Sequence, residues 1–334
     1  VRQLSKNQTP ADLTLTIPTP IMKPKVSVLI PTYNYARFLD EAIQSVLAQT
    51  YTDFELLIMD NCSTDNTEAV VRPYLQDPRV TYYKNEKNLG LVGNWNKCLD
   101  HARGEYIKFL CADDKFHPHL LEKFVAVMEA YPSVMLVTSY NTYFGDRNRE
   151  RVRPFTGLVN GQEARKHMIS EGGKNWIGEP SAVMFRSSGL AVGHFNPKLV
   201  ALIDKEYWLR LLTMGDCYVI PESLSYFRWH DSAQTAKVRN KMYERTFEVY
   251  HYITSIKKFN QEKRINDIPN LDQMIRMRAS RVAALVYRTL PFIFRPDYRQ
   301  VFLRAWQIGK QEHVMFHPLE RLVRGEASLK GNKK

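Results

Sequence analysis

The sequence predicts an α/β fold, a mostly parallel sheet with helices on both faces, followed by a C-terminal helical region. Three observations lead there. Apolar runs of strand length alternate with stretches of helical periodicity through the first two-thirds of the chain, as repeated βα units do. Polar residues gather at the ends of those runs rather than along them. The charge is also divided: residues 1–235 hold 26 Lys+Arg and 26 Asp+Glu, whereas residues 236–334 hold 21 and 9. All of the net charge of +12 therefore belongs to the last part of the chain, which sets a boundary near Ala236.

At 334 residues, with 44% hydrophobic and 25% charged content, the chain is long enough for one large domain or two. No run of about 18 uncharged apolar residues occurs, so no spanning helix is expected. Residues 1–24 are polar, carry Pro10, Pro18, Pro20 and Pro24, and lack the apolar stretch of a signal peptide; they are expected to form a leader or linker. The four cysteines, Cys62, Cys98, Cys111 and Cys217, make no CxxC pair. That argues against zinc and a disulfide framework and for a reducing, cytoplasmic setting.

The elements follow in order. Residues 26–30 (VSVLI) form a first strand, expected to end at Pro31. Leu39, Ile43, Val46 and Leu47 then share one helical face. Strands are predicted at 54–59 (FELLIM), 80–83 (VTYY) and 106–110 (YIKFL), with a helix over 91–102 between the last two. A helix announced by Pro118, with Leu121, Phe124, Val125 and Met128 apolar, runs to about 130 before a strand at 134–138. From 145 to 174 the pattern weakens, with Arg147, Arg149, Arg151 and Arg153 alternating; this reads either as an acceptor-side insertion or lid, or as a solvated excursion. Beyond Ala236, Ile275, Ala279, Val282, Val286 and Leu290 make an apolar stripe, with Arg278, Arg281 and Arg288 on another face. Val301, Ala305 and Ile308, flanked by Phe302 and Trp306, repeat the scheme.

The chemistry gathers at the strand ends. Asp113 and Asp114 close the fourth strand with only Cys111 and Ala112 as spacer. Paired carboxylates at a strand's carboxyl end suit Mg²⁺ or Mn²⁺ on a phosphate; the other reading is a solvated turn before the next helix. No GxxxxGK[ST] and no GxGxxG after the first strand is present. With no glycine cradle, a diphosphate needs a cation, and the polar ends 31–34 (PTYN) and 60–65 (DNCSTD) lie on the same rim.

These motifs resemble the family 2 inverting glycosyltransferases with the GT-A, Rossmann-type fold. The matching segments are 26–34 (VSVLIPTYN), 60–65 (DNCSTD), 88–90 (NLG) with 93–96 (GNWN), 103–107 (RGEYI) and 112–114 (ADD). Residues 178–181 (GEPS), 203–210 (IDKEYWLR) and 226–230 (YFRWH) extend the match, which covers about 25–235. The resemblance implies a nucleotide-sugar-binding catalytic domain over 25–235 and a basic helical region over 236–334. It implies that Pro31, Thr32, Tyr33, Asn34, Asp60, Asn61 and Asn94 bind the donor nucleotide, with Asp113 near the ribose and sugar. Asp114 would hold the metal, His230 would reach the metal or diphosphate, and Asp204 would be the general base. Trp176 and Glu179 would lie on the acceptor side. Read from the residues alone, Asp204 is also a common helix cap, His230 a structural hydrogen-bonder, Trp176 a core residue, and Arg210 a tie for the Asp204 helix. Two departures stand out: Asn61 occupies a position that is acidic in relatives and often contacts the N3–H of the base, and Cys111 occupies the first aspartate of the DxD-type run.

The expected activity is a metal-dependent, inverting transfer of a sugar from a nucleotide-diphosphate donor, UDP favoured by family frequency, to a hydroxyl of a glycan or lipid-linked glycan. One alternative is a non-catalytic nucleotide-sugar or membrane-surface binder. Another is a sugar nucleotidyltransferase, which would want a Gly- and Lys/Arg-rich loop where 31–34 stands. The basic tail reads as solvated helix faces or as a surface for anionic lipid at the inner face of a membrane. No nucleic-acid partner is expected, since no binding module occurs and Tyr250, Tyr252 and Phe259 sit at core-like spacings.

Overall fold

The structure, a computed structural model, describes residues 23–146, 148–170, 175–230 and 242–316. The expected leader, except for its last two residues, lies outside the described residues, as do Arg147, the boundary near Ala236 and the tail beyond 316.

The first half runs β1 (Val26–Thr32), α1 (Ala36–Leu47), β2 (Phe54–Asp60), α2 (Thr67–Val71), β3 (Val80–Lys84), α3 (Gly90–His101), β4 (Tyr106–Phe109), β5 (Lys115–Phe116) and α4 (Leu120–Ala130). Then come β6 (Val134–Gly145), β7 (Arg149–Arg151), β8 (Gly157–Val159), α5 (Gly161–Ser170), β9 (Val183–Arg186), α6 (Ile203–Leu211) and β10 (Asp216–Trp229). Helices α7 (Met242–Lys263), α8 (Leu271–Thr289) and α9 (Pro296–Gln311) follow.

The strand order is β3-β2-β1-β4-β9-β6-β10-β5, with β7 on β6 and β8 on β10. The long ladders are parallel: β1 with β2 and β4, β2 with β3, and β6 with β10. Helices cover both faces, which is why the strands read as near-continuous apolar runs. Strand periodicity divides β1 between the two sides. Val26, Val28 and Ile30 join Leu39 and Ile43 of α1 and Phe124 of α4, while Leu29 joins Trp95 and Leu99 of α3.

Three sequence expectations need correction. β1 does not stop at Pro31 but continues to Thr32. Leu29 and Pro31 present their polar groups to the same side, and β4 pairs no further than Leu29. The amide hydrogen that proline lacks is therefore not needed there. The strand expected at 134–138 runs on to Gly145, because β10 pairs along it to Trp229. Leu290 does not belong to the apolar stripe: α8 ends at Thr289, and Leu290 opens a one-turn 3₁₀ segment at Pro291 with 51% of its surface exposed.

The basic C-terminal helices are not a detached tail. Phe247, Ile253 and Ile256 of α7 and Ala279, Val282 and Val286 of α8 belong to the same buried cluster as Phe195, Tyr207 and Trp208. The buried Arg165 joins the layers, pairing with Asp267, the Leu209 carbonyl and Asn260. No described helix is long and apolar enough to cross a membrane.

Candidate active site

At the carboxyl ends of β1, β2 and β4, one cavity of about 360 Å³ opens. Pro31, Thr32, Tyr33, Asn61, Asn94, Cys111, Asp113, Glu179 and Asp204 all line it. Residues as distant in sequence as Pro31, Asp113 and Asp204 thus meet in one cavity, at the strand ends where open α/β sheets bind their ligands.

The acidic loop is held from three sides. Asp114 is 1% exposed; it accepts a hydrogen bond from Ser181 Oγ at 2.6 Å and from the Arg228 N–H at 2.9 Å. Ser181 Oγ in turn accepts from the Cys111 N–H at 3.0 Å. Arg228 Nε donates to the Asp113 carbonyl at 2.9 Å, and its guanidinium also pairs with Glu41. Beneath the loop, buried Lys108 donates to the Ser181 carbonyl at 2.6 Å and the Pro180 carbonyl at 3.3 Å. Burial pushes its ammonium well below the usual lysine range. These contacts divide the pair: Asp113 faces the cavity and Asp114 sits behind it. Burial, with the neighbouring Asp113 charge, pushes the Asp114 carboxyl well above the ordinary carboxylate range. His230 Nε2 lies 3.0 Å from Asp113 Oδ2, so the histidine reaches the acidic loop through that carboxylate.

The ligand atoms of Cys111, Asp113 and Asp114 lie within 4.8 Å of one another. Two carboxylates suit a hard divalent cation, and an anion brought by a ligand would complete the oxygen set. The thiol is the odd member, and burial raises it far from its thiolate form.

The expected donor residues divide into those that face the cavity and those that build it. Thr32 is 2% exposed, lines the cavity, and its Oγ1 has no hydrogen-bond partner among the described residues. Tyr33 is half-exposed at the mouth. Asn34, at φ 56°, instead latches loops together: its N–H donates to Ser63 Oγ at 2.9 Å, and its Oδ1 accepts from the Thr64 N–H at 2.8 Å. Asp60 is fully buried, with one oxygen accepting from the Ser63 N–H and the other from Tyr82 Oη. Both residues were expected to bind the donor nucleotide, and here their polar atoms are engaged within the framework. Asn61 lines the cavity, yet its Oδ1 already accepts from the Leu89 N–H at 2.8 Å and Asn85 Nδ2 at 3.2 Å. Asn94 donates to the Met59 carbonyl at 2.9 Å and accepts from Asn85 Nδ2 at 2.8 Å.

Across the cavity, Asp204 lies in the first turn of α6. It does not cap the helix with its side chain; Oδ1 accepts from the adjacent Lys205 N–H at 2.6 Å and Oδ2 from Asn175 Nδ2 at 2.8 Å. Burial pushes the carboxyl up to about 7, with Glu179 adding to the rise and Arg151 opposing it. The backbone just before it is anchored instead by Glu248 of α7, which accepts from the N–H groups of Val200, Ala201 and Leu202. Glu179 pairs through Oε1 with Arg151, while its buried Oε2 has no hydrogen-bond partner among the described residues. Gly178 permits this wall: at φ 123° it passes so close to Arg153 that an added Cβ would lie 2.4 Å from Nη2.

Trp176, expected on the acceptor side, is 6% exposed and packs with Phe155 and His167. It is a core residue, a member of the buried cluster that includes Ile177 and Trp208. Arg210 behaves as the alternative reading has it, pairing with Glu206 and binding the carbonyls of Val192 and His194. Lys108, Ser181, Arg228 and Glu248 were not foreseen as parts of the site. Arg151 carried a signal, the alternating arginines of 147–153, but its partner is 28 residues away.

The sequence profile described as Glycosyl transferase family 2 matches residues 27–192. An uncharacterised protein of Mycobacterium tuberculosis is 32% identical over 240 residues, covering 69% of this chain and 75% of that protein. Among solved structures, residues 1–349 of S. aureus TarS in complex with UDP-GlcNAc align with a TM-score of 0.56 at 17% identity, covering 90% of this chain and 92% of that one. The mannosyltransferase PcManGT of Pyrobaculum calidifontis, in complex with GDP-Man and Mn²⁺, aligns at 0.54 and 18% identity over 90% of this chain and 88% of that one. At such identities the structural likeness speaks for the fold, which agrees with the GT-A arrangement expected from the motifs.

Proposed function

The chain belongs to glycosyl transferase family 2, and from that premise we propose that it transfers a sugar, with inversion and with the help of a divalent cation, from a nucleotide diphosphate to an acceptor hydroxyl. The observation that carries this reading is that Asp113 and Asp204 line one cavity, so that a donor's diphosphate and an acceptor's hydroxyl can be handled in the same space. The acceptor oxygen attacks the anomeric carbon as the bond to the diphosphate oxygen breaks, and the bonding pair leaves with the diphosphate. Asp204 takes the proton from the attacking hydroxyl. A carboxyl held up to about 7 is basic enough to do so and still ionised for much of the time near neutrality, which is where general bases work best. Mg²⁺ or Mn²⁺ on Asp113, with Asp114 behind it, would supply Lewis-acid neutralisation of the departing diphosphate.

The remaining residues bind and orient. Thr32 Oγ1 offers an unused hydroxyl to the donor, and Glu179 Oε2 an unused acceptor to the sugar-acceptor side. Arg151 holds Glu179 and, through the Asn175 carbonyl at 2.6 Å, the loop that orients Asp204. UDP is the first donor base to test. Asn61 adds no preference for uracil, because its oxygen already serves two donors. TarS was solved with a UDP-sugar and PcManGT with a GDP-sugar and Mn²⁺, so both bases belong in the panel.

For the acceptor, a glycan or lipid-linked glycan, we infer a peripheral contact with anionic membrane through the C-terminal region. Its support is an exposed aromatic-basic edge. Leu290, Phe292, Phe294 and Trp306 are all at least 45% exposed, and Phe294 is 97% exposed; Arg288, Arg295 and Arg299 lie in the same stretch.

Calorimetry with UDP-, GDP- and TDP-sugars, with and without Mn²⁺, followed by the anomeric configuration of the product by NMR, tests the whole reading. One donor should bind in a Mn²⁺-dependent manner and give an inverted linkage. Retention of configuration, or binding indifferent to the cation, contradicts it, and binding without any turnover would favour a non-catalytic sensor.

A further inference from the structure

Behind the helix that carries Asp204 lies a second cavity of about 330 Å³, walled by α6, α7 and α8. Among the described residues its lining holds four cations, Lys205, Arg245, Arg278 and Arg281, and no carboxylate. Lys205 and Tyr252 are 1% and 4% exposed, and neither Lys205 Nζ nor Tyr252 Oη has a hydrogen-bond partner among the described residues. The ammonium stands 4.7 Å from the centre of the Tyr252 ring, so the two unused polar groups are neighbours. Among the described residues none of the three arginines forms an ion pair. Burial and Arg281 push the Arg278 guanidinium down, and burial pushes Lys205 down to about 8, with the Asp204 charge opposing and Arg278 adding to the fall.

Other buried cations among the described residues have hydrogen-bond partners, Arg153 included, through the Ser139 carbonyl and Asn141 although its Nη1 has none. Lys108 has two carbonyls, Arg165 has Asp267, and Arg210 has Glu206. An unpaired buried ammonium beside an unpaired buried hydroxyl is expensive, and a cluster of like charges adds to the cost. Both costs vanish if an anion with several acceptor oxygens enters.

We propose that this cavity is a second, separate binding site for a phosphate group, received by Lys205 Nζ and Tyr252 Oη with Arg278 and Arg281 at the entrance. Phosphate accepts from several donors at once, and guanidinium groups match its geometry. Ile169, Leu202, Val249, Ile253 and Met274 supply an apolar wall beside the cations, so the phosphate comes either free or as an ester of an apolar alcohol. The site adjoins the first cavity without opening into the same lining. Val200, Ala201, Ile203 and Asp204 face the donor side, and Leu202 and Lys205 face this one. One strip of backbone is thus the common wall, and the proposal stands whether or not the first cavity binds a nucleotide-sugar.

The test is thermal shift and calorimetry on the full chain with two probes, inorganic phosphate and a short, water-soluble prenyl phosphate. Each is run also in an Asp113→Asn background, to separate this site from the first cavity. A saturable shift is expected in both backgrounds. It should weaken at least tenfold in Arg278→Gln and in Tyr252→Phe, with nucleotide-sugar affinity unchanged. Lys205→Met should abolish the response and raise the melting temperature without ligand; should that variant fail to fold, the other two decide. Preference for the prenyl phosphate identifies an apolar ester as the occupant, and equal affinity identifies the phosphate group itself. No saturable response to either probe, or a response that survives all three substitutions, overturns the proposal.

Discussion

Replacing Asp204 by Asn should move stability and turnover in opposite directions at the higher pH, so one variant tests both the burial of this carboxyl and its role. Burial holds the Asp204 proton up to about 7, against an ordinary value of 3.8. A group whose pKa is raised by folding favours the folded state while protonated. That contribution is complete below about pH 4, declines through the interval, and is gone above about pH 7. Three pH units correspond to about 4 kcal/mol, of which about 2–3 kcal/mol is lost between pH 5 and pH 8. Asn cannot ionise and loses none of it. The bond from Asn175 Nδ2, present at 2.8 Å in the wild type, is sacrificed equally at every pH and drops out of the comparison. Urea denaturation of both proteins at pH 5 and pH 8 should therefore show the variant gaining about 2–3 kcal/mol relative to wild type on going to the higher pH. In the same variant turnover should fall about 10²–10⁴-fold, with donor affinity within about twofold. Wild-type kcat/KM should decline about tenfold per pH unit below pH 7, as the base becomes protonated. A stability difference that does not change with pH would refute the buried-base argument. A variant that still transfers sugar would refute the role.

Asp113→Asn should abolish Mn²⁺-dependent nucleotide binding, whereas Asp114→Asn should weaken it about tenfold or more and also loosen the loop held by Ser181 and Arg228; the reverse order in calorimetry would return the principal ligand role to Asp114. Thr32→Val removes a hydroxyl with no protein partner, so donor Kd should rise about tenfold, from the loss of roughly 1–1.5 kcal/mol, while folding stability holds or improves; unaltered donor affinity would exclude Thr32 from the donor site. Glu179→Gln should raise the acceptor KM about 10- to 100-fold, as expected for one charge-assisted hydrogen bond, with donor Kd unchanged; an effect on the donor alone would move Glu179 to the other side of the reaction. Liposome flotation should show binding to anionic vesicles that drops steeply between low salt and 0.5 M and weakens in Phe294→Ser; indifference to lipid charge and salt would remove the membrane from the account.

Much of the framework was readable along the chain because its signals are local. The run 26–30, the helical face of Leu39, Ile43 and Val46, and the acidic pair after 106–110 each announce themselves within a few residues. The local pattern was a poorer guide where a distant partner engages the same groups. Pro31 ends a strand by propensity, yet the neighbour it would have offended stops at Leu29. Trp176 resembles a sugar platform until Phe155 and His167 close over it. Asp60 and Asn34 stand in motif positions associated with a nucleotide, but Tyr82 and the 63–64 loop had already engaged their polar atoms.

By itself the sequence determined which chemistry the chain carries: carboxylates at strand ends, no glycine cradle for phosphate, a buried parallel sheet, and a basic C-terminal third. Only the tertiary structure decided which of those groups remains available. Asp113 faces the cavity because Ser181 and Arg228 hold Asp114 behind it, and the Asp204 carboxyl is raised to about 7 because the fold strips most of its solvation. The cations divided in the same way: Arg281 of the C-terminal helices is exposed, whereas Lys205 of α6 is enclosed with Tyr252. The physical reason is common to all of these. Residue type sets what a group can do, but hydrogen-bond occupancy and desolvation set whether it does, and both depend on partners far away in sequence.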